Sequence, residues 1–208
     1  MHKEILNQNQ IDLLPLISSF KREYYLVGGT AIALYLGHRR SIDFDLFKYS
    51  TINHTKNLEK IKNFQFPYSI KRRVTEQMNI DIQDVKVTFF QYPFDIQAKM
   101  MFENIIKLPS LLDLAAMKSY ALGRRAKWKD YVDLYFLLTN GLSIEEISQR
   151  ANEIFGDLFS EKLFRTQLTY FEDINYTEEI EYIIPNPPTE KEVKEELIRM
   201  ATDIFSFE

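Results

Sequence analysis

Asp43 and Asp45 stand one residue apart in an apolar run, "IDFDLF", at residues 42–47. Alternation at period two puts both carboxylates on one face of a strand, with Phe44 and Leu46 on the other. Side chains at i and i+2 have Cα atoms roughly 6.5 Å apart, so both can reach one hard divalent cation. Mg²⁺ or Mn²⁺ suits such a pair, because these ions take oxygen ligands and leave positions for water and phosphate. Without a cation, two like charges so close would push one pKa upward. Upstream, Gly28 and Gly29 break a short apolar stretch, "YYLV", just before a helical pattern. Missing Cβ atoms let an anion approach backbone N–H groups, and a helix N-terminus adds a favourable dipole. The pair of signals points to phosphate bound beside a metal ion, the chemistry of phosphoryl transfer.

The elements that must hold these residues follow from the pattern around them. Residues 24–27 predict a strand, and "TAIALYLG" predicts a short helix closed by Gly37. Thr30 is placed to cap that helix or to offer its hydroxyl to phosphate. "HRRS", residues 38–41, is a polar loop that leads into the aspartate strand. Residues 1–23 hold a helix with Ile11, Leu14 and Ile17 on its apolar side, and 55–64 a second one. "YSIKRRVT", "NIDI" and "VKVTFFQY" predict three strands, and "NIIKLPS" a further short one. On strand alternation, Lys71 and Arg73 share a face and Arg72 takes the other. After Pro109 the pattern turns helical. Ser110 with Asp113, Ser143 with Glu146 and Thr189 with Glu192 have capping-box spacing. Gly123 ends the first of these helices and "NG" the second, which runs over about 127–139. The expected architecture is α+β. A mixed sheet with helices over residues 1–108 precedes a helical region over 109–208, packed on the core as one unit.

The chain has 208 residues, 45% of them hydrophobic and 27% charged, enough for one sizeable core. It has no cysteine, which excludes disulfides and thiolate metal sites and fits a reducing cytoplasm. No secretory signal is legible at the start, and no run is long enough to span a membrane. Charge is split along the chain. Residues 1–140 hold 20 Lys and Arg against 14 Asp and Glu, whereas residues 141–208 hold 6 against 16. A basic front favours a polyanionic partner, and an acidic back equally serves to solvate helices.

The stretch "GGTAIALYLGHRRSIDFDLF" resembles the signature of the AbiEii/AbiGii toxin family, within the polymerase-β-like nucleotidyltransferases. "LPSLLDLAAMKSYALGRRAKWKDYVDLYFLL" resembles the downstream segment of the same family, in the same order along the chain. The resemblance implies a nucleotidyltransferase fold, a metal-bound nucleoside triphosphate, and the toxin role in a pair with an antitoxin protein. Its implied acceptor is RNA, with tRNA ends as the target class. Asp43 and Asp45 match the metal-binding pair. Gly28, Gly29 and Thr30 match the phosphate loop, with Arg39 and Ser41 beside it. Lys118 matches the lysine that meets the triphosphate, and Asp130 an active-site acid able to activate the acceptor hydroxyl.

Each of these residues also has a plainer account. The loop at 38–41 is otherwise a solvated basic turn, and His38 structural. Lys118 lies in an apolar helical stripe with Leu111, Leu114, Ala115 and Leu122, where it needs a partner or an exit to water. Asp130 and Asp133 sit at i and i+3, where helix salt bridges also form. Arg124, Arg125, Lys127 and Lys129 make a local basic patch around Trp128, which either stacks a base or packs. The superfamily usually adds a third carboxylate on a later strand. Thr88 stands near that place, and Asp81, Asp84 and Asp95 are near it in sequence, with no basis for choosing among them. Transfer to a protein hydroxyl, or a degenerate subunit that only binds nucleotide or RNA, stays open beside the RNA reading.

Overall fold

The computed structural model describes residues 1–203. The chain divides into two compact units, Met1–Ser110 and Leu111–Glu208.

The first unit is built on a seven-stranded mixed sheet. Its strands are β1 (Tyr25–Val27), β2 (Phe44–Lys48), β3 (Tyr68–Val74), β4 (Gln77–Ile82), β5 (Val85–Gln91), β6 (Met100–Phe102) and β7 (Ile106–Leu108). Their order is β3-β4-β5-β2-β1-β7-β6. β2 pairs in parallel with β5, and β1 with β7; the remaining pairs are antiparallel. Three helices accompany the sheet: α1 (Gln8–Ser18), α2 (Gly28–Leu36) and α3 (His54–Asn63). β-branched and aromatic residues alternate with polar ones along β2, β4 and β5, so one face of the sheet is apolar. Phe44, Leu46, Ile80, Val87 and Phe89 on that face are buried, as are Leu13, Leu16, Ile17 and Phe20 of the α1 segment. Phe20, Tyr24 and Phe89 meet edge to face, with centroids 4.9–5.9 Å apart. The other face of the same strands carries Asp45 and Asn79, both half-buried, and Thr88, which is buried.

The second unit is helical: α4 (Leu111–Leu122), α5 (Trp128–Thr139), α6 (Ile144–Phe155), α7 (Glu161–Leu168) and α8 (Glu190–Thr202). The capping boxes expected at Ser143 and Thr189 both form, each with reciprocal side-chain and backbone bonds to the glutamate three residues on. α4 and α5 stop at Gly123 and "NG", as the sequence predicts.

Two local expectations are corrected. Thr30 does not cap α2. The helix begins at Gly28, its N-cap is Val27, and no side chain caps it. Lys71 and Arg73 do not share a simple strand face either. A β-bulge falls between Ile70 and Arg72, so that Ile70 pairs with Ile80 but Arg72 pairs with Asn79. The extra residue in the strand, Lys71, breaks the alternation on which that expectation rested. β6 was not expected; three residues, two of them exposed methionines, carry too little pattern to announce a strand.

Candidate active site

The end of β1, the start of α2 and the start of β2 meet because β1 and β2 pair antiparallel, with Val27 opposite Asp45. Gly28 turns the chain with φ of +73°, a left-handed value that a side chain rarely adopts. A Cβ on Gly28 would overlap the Oδ2 atom of Asp45, so the carboxylate lies directly against the glycine backbone. On Gly29 a Cβ would overlap Nη2 of Arg39 and come within 3.4 Å of Oγ of Ser41. Both glycines therefore exist for close approach as well as for the turn. The first N–H groups of α2 open here without a side-chain cap, next to one buried guanidinium and one carboxylate.

The loop at 38–43 is not a solvated basic turn. His38 and Arg39 are both buried. Arg39 donates from Nη1 to the Arg40 carbonyl at 2.9 Å. Thr30, also buried, donates its hydroxyl to the Asp43 carbonyl and lies 2.8 Å from the Ser41 hydroxyl. From α1, the fully buried Gln10 donates to the Ser41 carbonyl at 2.8 Å. Gln10 also closes a capping box with Asn7. Two helices thus fix the strand entry that carries Asp43 and Asp45. The Asn7–Gln10 spacing was a readable capping signal, but nothing local announced the bond to Ser41.

Asp43 is about a quarter exposed, and its Oδ2 lies 4.0 Å from Nζ of Lys86 on β5. The β2–β5 register pairs Asp45 with Thr88, and the β4–β5 register pairs Thr88 with Asn79. Thr88, not a carboxylate, therefore stands beside Asp45 in its row. Asp81 pairs with Lys86 one row away, and its carboxylate lies 3.2 Å from Nζ of Lys71. Asp84 sits in the turn before β5, and Asp95 accepts a bond from Gln97 at 2.9 Å. Among the described residues, no group of three or more His, Asp or Glu side chains is spaced to hold a metal ion. Asp43 and Asp45, with water and phosphate oxygens, form a donor set that fits a single hard divalent ion.

The second unit gathers Lys118, Asp130 and Asp133. Nζ of Lys118 lies 2.8 Å from Asp130 and 2.9 Å from Asp133, and all three side chains are buried. Arg125 closes on Asp130 from outside, with Nε at 2.9 Å and Nη2 at 3.2 Å. Burial alone would raise the Asp130 pKa, but the Lys118 ammonium and the Arg125 guanidinium outweigh it and hold the carboxyl below its ordinary range. Burial likewise opposes the charged form of Lys118, and Asp130 with Asp133 overcomes it, so its pKa is raised. Lys118 and Asp130 are both ionised at neutral pH, and their charges are committed to this cluster.

The neighbouring basic patch is answered by the acidic part of the chain. Lys127 and Lys129 both bind Glu178, whose carboxyl is held at about 2, burial opposing the shift and the two ammoniums driving it. Arg124 lies over the Tyr120 ring at 3.4 Å. Trp128 is buried against Tyr176, with centroids 5.5 Å apart, and Lys194 of α8 lies over its ring at 5.8 Å. This tryptophan packs; it does not present a face for a base.

A family model described as "Nucleotidyl transferase AbiEii toxin, Type IV TA system" matches residues 63–206. That match begins beyond the glycine corner and both aspartates, and it includes Lys118, Asp130 and Asp133. An uncharacterised protein of Aquifex aeolicus is 26% identical over 159 residues, 73% of this chain and 75% of that one. Among solved structures, the nucleotidyltransferase toxin MenT4 of Mycobacterium tuberculosis superposes with a TM-score of 0.62 at 16% identity, covering 95% of this chain and 82% of that one. JHP933 from Helicobacter pylori gives 0.55 at 18% identity, over 94% and 91%. ANT(2")-Ia, solved with adenylyl-2"-tobramycin, gives 0.51 at 16% identity, over 69% and 95%. These likenesses are of fold.

Proposed function

The chain belongs to the AbiEii nucleotidyltransferase toxin family, and on that premise we propose that it transfers a nucleotide from a metal-bound nucleoside triphosphate to the 3′ end of an RNA of the tRNA class. The carrying observation is the convergence of the Asp45 carboxylate on the Gly28 backbone, with Arg39 and the opening N–H groups of α2 beside it. A partly exposed carboxylate packed against an anion-binding corner is placed to share a cation with phosphate.

Asp43 and Asp45 would hold Mg²⁺ or Mn²⁺. Such an ion neutralises charge on the phosphoryl group as it transfers. Gly28 and Gly29 leave room for phosphate oxygens, Arg39 supplies a fixed positive charge beneath them, and Thr30 with Ser41 holds the loop in shape. In the reaction, the acceptor hydroxyl oxygen bonds to the α-phosphorus. The bond from that phosphorus to the bridging oxygen breaks, and pyrophosphate leaves. The hydroxyl proton passes to a base. Lys118 and Asp130 enter this proposal as the phosphate partner and the base, and both roles require the present cluster to loosen. A carboxyl held below its ordinary range is a weak base until Lys118 or Arg125 moves away. The toxin role implies a cognate antitoxin that silences the activity. Among the described residues, no helix is long and apolar enough to cross a membrane.

The test is incubation with each α-labelled NTP in the presence of tRNA, total RNA and cell protein. Label in the RNA fraction that disappears in Asp43→Ala supports the reading. Label in protein moves the acceptor to a protein hydroxyl. Mg·NTP binding with no transfer to any fraction reduces the chain to a nucleotide-binding partner.

A further inference from the structure

We propose that the row of residues running outward from Asp45 through Thr88 and Asn79 to Arg72 is the track for the sugar–phosphate backbone of the acceptor strand, with Arg72 as its phosphate contact. This rests on the reading of RNA as acceptor. Asp45 pairs with Thr88, Thr88 with Asn79, and Asn79 with Arg72, on four adjacent strands. Directly paired residues share a sheet face, so all four side chains lie on the face that carries the aspartates. The bulge makes this so. Without it, Lys71 would pair with Asn79, and Arg72 would fall on the opposite face with Met78; with it, Arg73 takes that place.

Charge agrees with position. The Arg72 and Arg73 side chains are exposed and make no ion pair or hydrogen bond among the described residues, whereas Lys71 pairs with Asp81 and Lys86 with Asp43. Thr88, buried, and Asn79, half-buried, are neutral and polar, so a polyanion laid over the row meets no carboxylate until Asp45. At roughly 4.8 Å per strand, Arg72 is about 14 Å from Asp45, too far to serve the ligands of an ion held there. It is placed for the strand that brings the hydroxyl. A guanidinium suits phosphate oxygens, which it meets in a bidentate fork. Of the first unit's charged groups, 15 are Lys or Arg and 11 are Asp or Glu, an excess of the sign that RNA requires.

Two adjacent arginines on opposite faces supply the experiment. Binding of deacylated bulk tRNA, and of a short labelled single-stranded RNA, is measured by anisotropy across a salt series for Arg72→Ala and Arg73→Ala. Titration with Mg·NTP is run on both variants. Arg72→Ala is expected to weaken RNA binding about tenfold and to lower the slope of log affinity against log salt by about one, with nucleotide binding unchanged. Arg73→Ala is expected to stay within about twofold of the parent chain on the same scale. Equal losses in the two variants would make this a diffuse basic edge and overturn the track. So would a loss of nucleotide binding in Arg72→Ala. A parent chain that binds no RNA overturns both the track and the acceptor reading. One that labels RNA, with Arg72→Ala unaffected, overturns the track alone.

Discussion

Two clusters of charge in this protein answer the same electrostatic problem in opposite ways. At the glycine corner, Asp43 and Asp45 are partly exposed, and Asp43 pairs with Lys86 at 4.0 Å, itself half in water. In the helical unit, Asp130 and Asp133 are wholly buried, and Lys118 holds both within 2.9 Å. The first arrangement leaves its carboxylates partly open to water, and access is what a ligand needs. The second satisfies them internally, which is what a core needs. A pair of aspartates in an apolar setting therefore predicts neither chemistry nor structure by itself. Burial of the carboxylates is what separates the two clusters.

On that contrast, removing the charge of the exposed Asp43 should cost activity and little stability. Asp43→Asn preserves the side chain's shape and removes its charge, at a carboxylate that is about a quarter exposed. Transfer of labelled NTP should fall by about four orders of magnitude, since loss of a metal-supported transition state removes several kcal/mol. The urea midpoint should barely move. A variant that unfolds with the activity would erase the distinction between the two clusters.

The closed cluster should behave the other way. Lys118→Met leaves the buried Asp130 carboxylate with Arg125 and takes the ammonium away from Asp133, and should destabilise the helical unit by about 3–5 kcal/mol in denaturant melts. The pH dependence sharpens this. Asp130 has a lowered pKa, so its contribution is present above the ordinary value of 3.8 and is lost as pH falls through the folded value. Lys118 has a raised pKa, so its contribution is present below 10.5 and is lost as pH climbs through the folded value. Stability from this pair should be flat from about pH 4 to pH 10 in the parent chain. In Lys118→Met the acid limb should move upward, because burial then raises the carboxyl pKa values with less to oppose it. An unchanged acid limb would mean that the cluster is not what holds α4 to α5.

Gly28→Ala tests the corner itself. A left-handed residue gains about 1–2 kcal/mol of strain when a side chain is added, and the new Cβ presses on the Asp45 carboxylate. Melting should report that modest loss, and transfer activity should fall by more than the stability change explains. Gly141, with φ of +102° and nothing within 4 Å of an added Cβ, is the control. Alanine there should carry the strain without the loss of activity.

How much of this was legible in the sequence depends on the range of the interaction. Turn, cap and period signals span a few residues, so the glycine corner, α2, β2 and the boxes at Ser143 and Thr189 could all be read. Thr30 shows the limit. Its type suits a cap, but its hydroxyl is used 13 residues away at Asp43, a bond set by the β1–β2 pairing. The bulge at Lys71 was invisible because nothing in "YSIKRRVT" marks which residue will be left out of the ladder. Thr88 opposite Asp45 needed the parallel β2–β5 register, which joins strands about 40 residues apart. Lys118 was recognisable as a lysine needing a partner, and Asp133 as an acid suited to hold a base. That they hold each other is a fact of tertiary packing.

The basic patch is where sequence and structure differ most usefully, and it yields the gentlest test. Four cations at 124–129 read as an RNA-binding surface, yet Lys127 and Lys129 both spend their charge on Glu178, 51 and 49 residues onward. The pairs are partly exposed, so each is worth about 1 kcal/mol or less. Glu178→Gln should therefore lower stability only slightly while freeing two ammoniums beside Arg124 and Arg125. RNA binding by the variant should strengthen at low salt, and the gain should vanish as salt is raised. This added affinity should not depend on Arg72: in the Glu178→Gln, Arg72→Ala double variant it should persist in full while transfer stays low. Non-additive changes would instead mean that the masked lysines and the exposed arginine meet the same strand.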